Sequence, residues 1–280
     1  MTASLRPVPD APALLLTPGD GRRPVTLVVA DLHLGLGGTP DAPGGPPEGS
    51  AERLEALLAR LARDQNASRV LVAGDVKHPI VGTPPPLRPV VFNFFAGLLA
   101  RGLSVDLVPG NHDVGLVRHL PREVRVYPPS GVVRDGVGIF HGHRWPSDRV
   151  LRAPKLVTGH LHPGFRFAPT PENPDGKRRG WVRVEFVPGA LAFPGQGRGK
   201  RRVPSRTLEL IVLPAFNPLA GTEALNRERP RRGRSFLFQR FLSRGVARGY
   251  LLDGTDVGRL VTARSAPDAV RGPSRARPGR

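Results

Sequence analysis

The chain has 280 residues, 39% of them apolar, and 42 Lys and Arg against 23 Asp and Glu give it a formal charge of +19. The absence of Cys excludes disulfides and thiolate metal sites, so any metal must be held by His, carboxylate and amide groups. No apolar run approaches the ~20 residues that span a bilayer, and Ala13 to Leu16 is too short for a secretory core, so a cytoplasmic protein away from membranes is expected.

The positive charge has two readings. One is a polyanionic partner, with nucleic acid the commonest; the other is a general compositional taste for Arg, Gly, Pro and Ala. The apolar runs lie in the middle of the chain, while both ends are rich in Pro, Gly and Arg. This predicts a Pro-rich segment over 1–23, one globular domain over 24–262 and a basic, disordered tail over 263–280.

Residues 1–23 read as mostly irregular, with a short strand at Ala13 to Leu16. Val25 to Ala30 is a continuous apolar run fit for a central strand, ending in Asp31-Leu32-His33-Leu34-Gly35. Gly37 to Ser50 is a Pro- and Gly-rich loop. Leu54, Leu57, Leu58 and Leu61 fall at helical spacing and predict a helix over Ala51 to Asn66. Val70 to Ala73 is the next strand and ends in Gly74-Asp75-Val76-Lys77-His78. Val91, Phe94, Phe95 and Leu98 repeat the helical spacing over Pro89 to Arg101. Val105 to Val108 is a third strand, broken by Pro109-Gly110 and followed by Asn111-His112-Asp113.

Strand, helix, strand, helix, strand implies right-handed crossovers and a parallel sheet. Beyond it, Val132 to Arg134 and Val137 to Phe140 flank Asp135-Gly136, a hairpin signal, and lead into His141-Gly142-His143. Lys155 to Thr158 is a short strand ending in Gly159-His160-Leu161-His162. Weaker strand signals cover Trp181 to Phe186, Leu208 to Leu213, Tyr250 to Leu252 and Arg259 to Thr262.

Asp31, His33, Asp75, Asn111, His112, His141, His160 and His162 all lie just after predicted strands, with His143 beside them. Sheet ends shared by these strands would gather the groups on one edge. Hydrolysing a phosphate ester requires a nucleophilic hydroxide near neutral pH and neutralisation of phosphoryl charge. Two divalent ions about 3.5–4 Å apart supply both. A carboxylate bridges two ions well, and Asp75 after Gly74 is the natural bridge. Asp31 and His33, two apart on an extended segment, would point the same way. His160 and His162 share that spacing, and each can serve a different ion.

Asp-x-His, Gly-Asp, Gly-Asn-His-Asp, His and Gly-His-x-His, in this order from Asp31 to His162, resemble the blocks of the calcineurin-like metallophosphoesterases. Asp-Leu-His-Leu-Gly, Gly-Asp-Val-Lys-His and Leu-Pro-Ala-Phe-Asn-Pro-Leu-Ala-Gly look like the small SbcD-related phosphoesterases, including the ligase-associated kind. The resemblance implies an α/β fold, a four-layer α/β/β/α sandwich of two mixed sheets. It implies that Asp31, His33 and His162 hold one ion, that Asn111, His141 and His160 hold the other, and that Asp75 bridges them. His112 would be the acid that protonates the leaving oxygen, and Asp113 would orient it. His78 stands where many members place Asp or Asn. Together with His143 and Arg144 it is a candidate either to hydrogen-bond and orient a metal ligand or to contact phosphate.

These readings converge on a two-metal phosphoesterase hydrolysing phosphodiesters of nucleic acid or nucleotides in a DNA-repair setting, with a helicase or ligase as partner. Mn2+ is the expected ion, with Fe2+, Zn2+ and Mg2+ as alternatives. The rival readings are a phosphomonoesterase, a cyclic-nucleotide phosphodiesterase, or a non-catalytic nucleic-acid-binding partner of a repair complex. Lys77 is either a further phosphate contact or a solvated lysine, His119 a surface residue, and Trp145 either a stacking or a packing residue. The basic runs Lys177 to Arg179, Lys200 to Arg202 and Arg227 to Arg234 are either phosphate-backbone contacts or solvated loops.

Overall fold

A computed structural model describes residues 3–36, 50–187, 206–226 and 245–260. The runs at 200–202 and 227–234, most of the 37–50 loop and the basic tail lie outside the described residues. Two sheets face one another. The first has six strands in the order β1 (Ser4–Pro7), β2 (Leu14–Thr17), β3 (Thr26–Val29), β4 (Arg69–Val72), β5 (Ser104–Leu107) and β6 (Arg125–Val126). The strands from β3 to β6 run parallel, while β1 and β2 pair antiparallel, so the sheet is mixed. The N-terminal stretch supplies the short strand expected around Ala13 to Leu16, as β2, and a second strand, β1, where irregular chain was expected. A Pro at the end of β1 is compatible with this, because an edge strand tolerates the missing N–H.

The second sheet contains β7 (Val132–Arg134), β8 (Val137–Phe140), β9 (Lys155–Thr158), β10 (Pro163–Arg166), β11 (Lys177–Phe186), β12 (Leu208–Val212), β13 (Glu223–Ala224), β14 (Val246–Leu251) and β15 (Asp256–Arg259). It is mixed as well: β8, β9 and β12 are parallel neighbours, and the remaining main pairings are antiparallel apart from β10 with β13. The run Lys177 to Arg179 is not a solvated loop. It opens β11, which extends four residues further upstream than its apolar core suggested.

Alternation along each strand sorts the core into layers. Leu27, Val29, Val70, Val72, Val105 and Leu107 face outward against helices α1 (Ala51–Asp64) and α2 (Leu87–Ala100). Val28, Leu71, Ile139, Val157 and Ile211 point the other way and pack between the sheets. Strands covered on both faces must be apolar throughout, which is why β3 and β4 read as unbroken runs. The outer face of the second sheet buries Phe140, Leu156, Val184 and Leu210 and is capped by α3 (Asp148–Leu151), a short helix with no sequence signal. Trp145 packs against this layer, which favours its packing role. Ser50 caps α1 by accepting from the Arg53 N–H, and Leu54, Leu58 and Leu61 form its buried stripe. The fold is thus the two-sheet, helix-flanked α/β arrangement anticipated. No helix among the described residues is long and apolar enough to cross a membrane.

Candidate metal centre

The carboxyl ends of β3, β4, β5, β8 and β9 meet at one edge of the two sheets. Ladder bonds continue past the strands: the N–H groups of Asp31, His33 and Leu34 donate to the carbonyls of Gly74, Asp75 and Val76 at 2.9, 2.9 and 2.7 Å. This zips the loop after β3 to the loop after β4. It is not an extended segment, however. Asp31 (φ 60°) and His33 (φ 42°) are both left-handed, as are Asp75 (55°), His160 (70°) and His162 (45°). The alternation of left-handed residues, rather than strand geometry, aims each Asp-x-His and His-x-His pair. Non-Gly residues adopt this region at some cost, which the surrounding hydrogen bonds must offset.

Two donor groups result. Asp31, His33 and His162 form one, with His162 Nε2 lying 3.3 Å from Asp31 Oδ1 and 3.2 Å from His33 Nε2. Asp75, His141 and His160 form the other, with His141 Nε2 lying 3.2 Å from Asp75 Oδ2. His160 and His162 thus face different groups. The Asp75 Oδ2 atom also lies 3.9 Å from His33 Nε2, so this carboxylate stands between the two sets. Asp31 crosses over by accepting the His160 N–H at 3.0 Å. His33, His78 and His112 form a third cluster, with the His33 ring 4.8 Å from His112 and 5.5 Å from His78.

Glycine makes the approach feasible at two points. Gly74 is left-handed at φ 92°, and a Cβ there would run into the His141 ring. A Cβ on Gly110 would occupy the place of the Asp75 carboxylate.

The charges are strongly coupled. Burial pushes the Asp75 carboxyl up, but His141, His112 and the His112 N–H outweigh it and hold the group well below the usual carboxylate range. Burial also opposes ionisation of Asp31, yet His162 and His141 keep it low. Burial works against protonation of His141, whereas Asp75, Asp31 and the Ala73 carbonyl raise it to about 9. His162 is raised too, against its burial, by Asp31 and the Ala220 carbonyl. Burial, reinforced by neighbouring imidazoles, lowers His33, His160 and His143 to about 4. The site is therefore a set of carboxylates held toward the ionised form among imidazoles, of which His141 and His162 are shifted toward protonation by the carboxylates beside them.

His112 lies in the 3-10 turn Asn111–Asp113. Its N–H donates to Asp75 Oδ1 at 2.9 Å, its Nδ1 meets the His78 carbonyl, and its Nε2 lies 3.8 Å from Asp75 Oδ2. Asp113 does not touch the His112 ring. Its buried carboxylate instead accepts the N–H groups of Val76 and Gly110, both at 2.8 Å, and ties the two turns together. Burial raises the Asp113 pKa despite those bonds. His143 lies at the margin, its ring 5.4 Å from His141 and 6.4 Å from His160, with exposed Arg144 beside it. His119 is half-buried near Arg88 and Arg118 and belongs to none of the clusters.

Lys77 is neither a phosphate contact nor a solvated lysine. It is 0% exposed, and its ammonium donates to the carbonyls of Pro79 at 2.5 Å and of His112. It points into the protein and holds the His112 turn against the loop after Asp75, so it does not present its charge to a substrate. Burial lowers its pKa.

The segment after β12 also supports the site. The buried Asn217 side chain donates to the Leu32 carbonyl at 2.9 Å, between the two left-handed ligand-type residues. The Ala220 carbonyl faces His162 Nδ1 at 3.1 Å, which leaves Nε2 toward Asp31. Arg179 pins this segment through the carbonyls of Ala215 and Phe216 at 3.1 and 3.2 Å. The polar Asn217 inside Leu-Pro-Ala-Phe-Asn-Pro was the only sequence signal for this support.

The residues fit divalent cations. The donors are nitrogen and oxygen only, in two groups, one of which contains the Asp75 carboxylate that also approaches His33 of the other. Asn111 Oδ1 is buried with no hydrogen-bond partner, an acceptor whose demand a cation would meet.

A family model described as calcineurin-like phosphoesterase matches residues 24–185, more than half of the chain. Among solved structures the chain is similar to Pseudomonas putida nuclease MPE, with 18% sequence identity and a TM-score of 0.50, across 91% of this chain and 100% of that one. At this identity the likeness bears on the fold alone. No curated protein matches the chain. Taken with the donor groups at the sheet edge, the family match shows that the chain belongs to the calcineurin-like phosphoesterase family and is a metal-dependent hydrolase of phosphate esters.

Proposed function

We propose that the protein is a two-metal phosphodiesterase acting on nucleic acid or nucleotides. The observation that carries this reading is the Asp75 carboxylate standing between two separate His and Asp donor groups, 3.2 Å from His141 and 3.9 Å from His33. Asp31, His33 and His162 would hold one ion, and Asn111, His141 and His160 the other, with Asp75 shared. When bound, such ions neutralise phosphoryl charge and lower the pKa of water. Mn2+ is the ion we expect for this mixture of imidazole, carboxylate and amide.

The protein's own groups supply the rest. The His78 carbonyl fixes His112 through Nδ1, so that Nε2 faces the centre. A proton on Nε2 is then placed to pass to the leaving oxygen, which departs as the hydroxyl of the shortened strand or nucleotide. Lys77 and Asp113 hold the turn that carries this imidazole. His143 and Arg144, at the margin, would contact phosphate oxygens.

The net charge of +19 favours a polyanionic substrate, and the similarly folded Pseudomonas putida protein is a nuclease. A DNA-repair setting with a helicase or ligase partner rests on the resemblance of the Asp31, Asp75 and Asn217 blocks to SbcD-related proteins.

The test strips the full-length protein of metal and reloads it separately with Mn2+, Fe2+, Zn2+ and Mg2+. Bound metal is counted, and turnover is measured on bis-p-nitrophenyl phosphate, p-nitrophenyl phosphate, cyclic nucleotides and single-stranded DNA. The expected result is two ions per chain and faster cleavage of the diester and DNA than of the monoester. A single ion, or preference for the monoester, overturns the reading.

A further inference from the structure

The opposite edge of the sandwich carries a second concentration of charge. A cavity of about 450 Å3 is lined by five arginines, Arg23, Arg69, Arg125, Arg134 and Arg149, and by a single carboxylate, Asp135. Arg69 begins β4, and Asp75 lies six residues further along the chain. At roughly 3.3 Å per residue the start of β4 lies at most about 20 Å from Asp75, with the length of the strand between them. Ligands of the centre thus leave this charge unexplained.

The ion pairs do not balance. Asp106 is fully buried behind the cavity, and its Oδ2 atom is shared by Arg69 at 3.1 Å and Arg134 at 2.5 Å. Arg23 pairs with Asp135 at 2.7 Å and Asp20 at 3.5 Å. Three guanidiniums therefore meet three carboxylates. Arg125 lies over the Tyr127 ring, 5.1 Å from its centroid, and neither Arg125 nor Arg149 has a carboxylate partner among the described residues. Two arginines without a carboxylate partner among the described residues thus border one concave space.

Two of the donors, Arg69 and Arg134, are also pre-positioned. Arg134 donates to the Tyr127 hydroxyl at 2.8 Å as well as to Asp106, and Arg69 Nε is buried with no hydrogen-bond partner. Guanidiniums held from behind lose little further entropy when they grip an oxyanion, and their planar forks suit phosphate. A cavity of this size accommodates a phosphate with room for a nucleoside. A neighbouring cavity of about 560 Å3 shares Arg23, Val133, Asp135 and Arg149 and adds one Lys, Lys155, and one carboxylate, Asp20, so the excess of positive charge is concentrated in the first cavity.

We propose that this arginine-lined cavity between the starts of β4 and β6 and the β7–β8 hairpin is a phosphate-binding site separate from the metal centre. The phosphate can be free, borne by a nucleotide, or part of a polynucleotide backbone. The proposal does not depend on the reaction assigned to the metal centre.

The test uses full-length protein treated with EDTA, so that phosphate cannot be held through metal. Inorganic phosphate, adenosine monophosphate and a single-stranded oligonucleotide are titrated by calorimetry at constant ionic strength in chloride. At least one probe should bind. The exposed double variant Arg125→Gln/Arg149→Gln should weaken it about tenfold or more, while Arg149→Lys, which keeps the charge, should retain most of it. The metal-loaded double variant should hydrolyse bis-p-nitrophenyl phosphate at the wild-type rate. Binding of phosphate alone assigns a small anion, and tighter binding of the oligonucleotide assigns the backbone. No binding by any probe, or equal affinity in wild type and the double variant, overturns the proposal.

Discussion

The main-chain N–H of His112 donates to one oxygen of Asp75 at 2.9 Å, while the other oxygen of that carboxylate lies 3.2 Å from His141. One side chain thus fixes the turn carrying the proposed acid and joins the proposed metal donors. The acid's position is therefore tied to the carboxylate at the centre, and the two can be separated only by choosing which end to cut.

Removing the imidazole leaves the N–H in place. His112→Ala should keep both ions and lose ~10²–10⁴-fold in turnover, the usual contribution of a positioned acid. Metal counting beside single-turnover kinetics checks this, and equal turnover in wild type and variant would defeat the acid assignment.

Asp75→Ala takes away the shared carboxylate and the acceptor for the His112 N–H together. Bound metal should fall to one ion or none, with turnover at least ~10³-fold lower. Elemental analysis after gel filtration reads the first effect directly.

Gly110→Ala would place a methyl group where the Asp75 carboxylate lies. Backbone on both sides would have to shift, at a cost of about 1–3 kcal/mol. The melting temperature should fall and the metal content with it, although no ligand has been altered.

Lys77→Met keeps the length and bulk of a buried side chain but leaves the carbonyls of Pro79 and His112 without their cationic donor. A loss of about 2–3 kcal/mol in unfolding free energy is expected. Because the His112 turn loosens while the metal donors remain, kcat should drop more than KM rises.

The metal-free protein should be most stable near the ordinary imidazole pKa. His141 is raised to about 9, so the stability it contributes is complete below ~6.5 and is lost as pH climbs through 9. His33, His143 and His160, lowered to about 4, act in the other direction, since the unfolded chain takes up their protons first as pH falls from ~6.5 toward 4. Denaturant titrations of EDTA-treated protein from pH 4 to 10 should trace a maximum between these limits. A flat profile would refute the coupling.

The sequence by itself determined a great deal. Continuous apolar runs identify β3, β4 and β5 because strands buried on both faces admit nothing else, and the 3.6-residue stripe identifies α1 and α2 for the complementary reason. That Asp31, Asp75, His141, His160 and His162 come together was legible because each follows a predicted strand, and strand ends in one sheet share an edge.

Only the tertiary structure decided how those residues are aimed. The left-handed turns at Asp31, His33, Asp75, His160 and His162 arise from long-range ladder bonds between loops, which no local propensity encodes. The same holds for Lys77. A lysine beside an acidic motif reads as either solvated or a phosphate contact, yet the carbonyls of Pro79 and His112 draw it inward, because a buried ammonium must be satisfied by whatever acceptors the fold brings near. The Asn217 support and the Arg-lined cavity lie beyond the reach of spacing for that reason too: each is assembled from segments far apart in the chain, and their meeting is a property of the packed sheets.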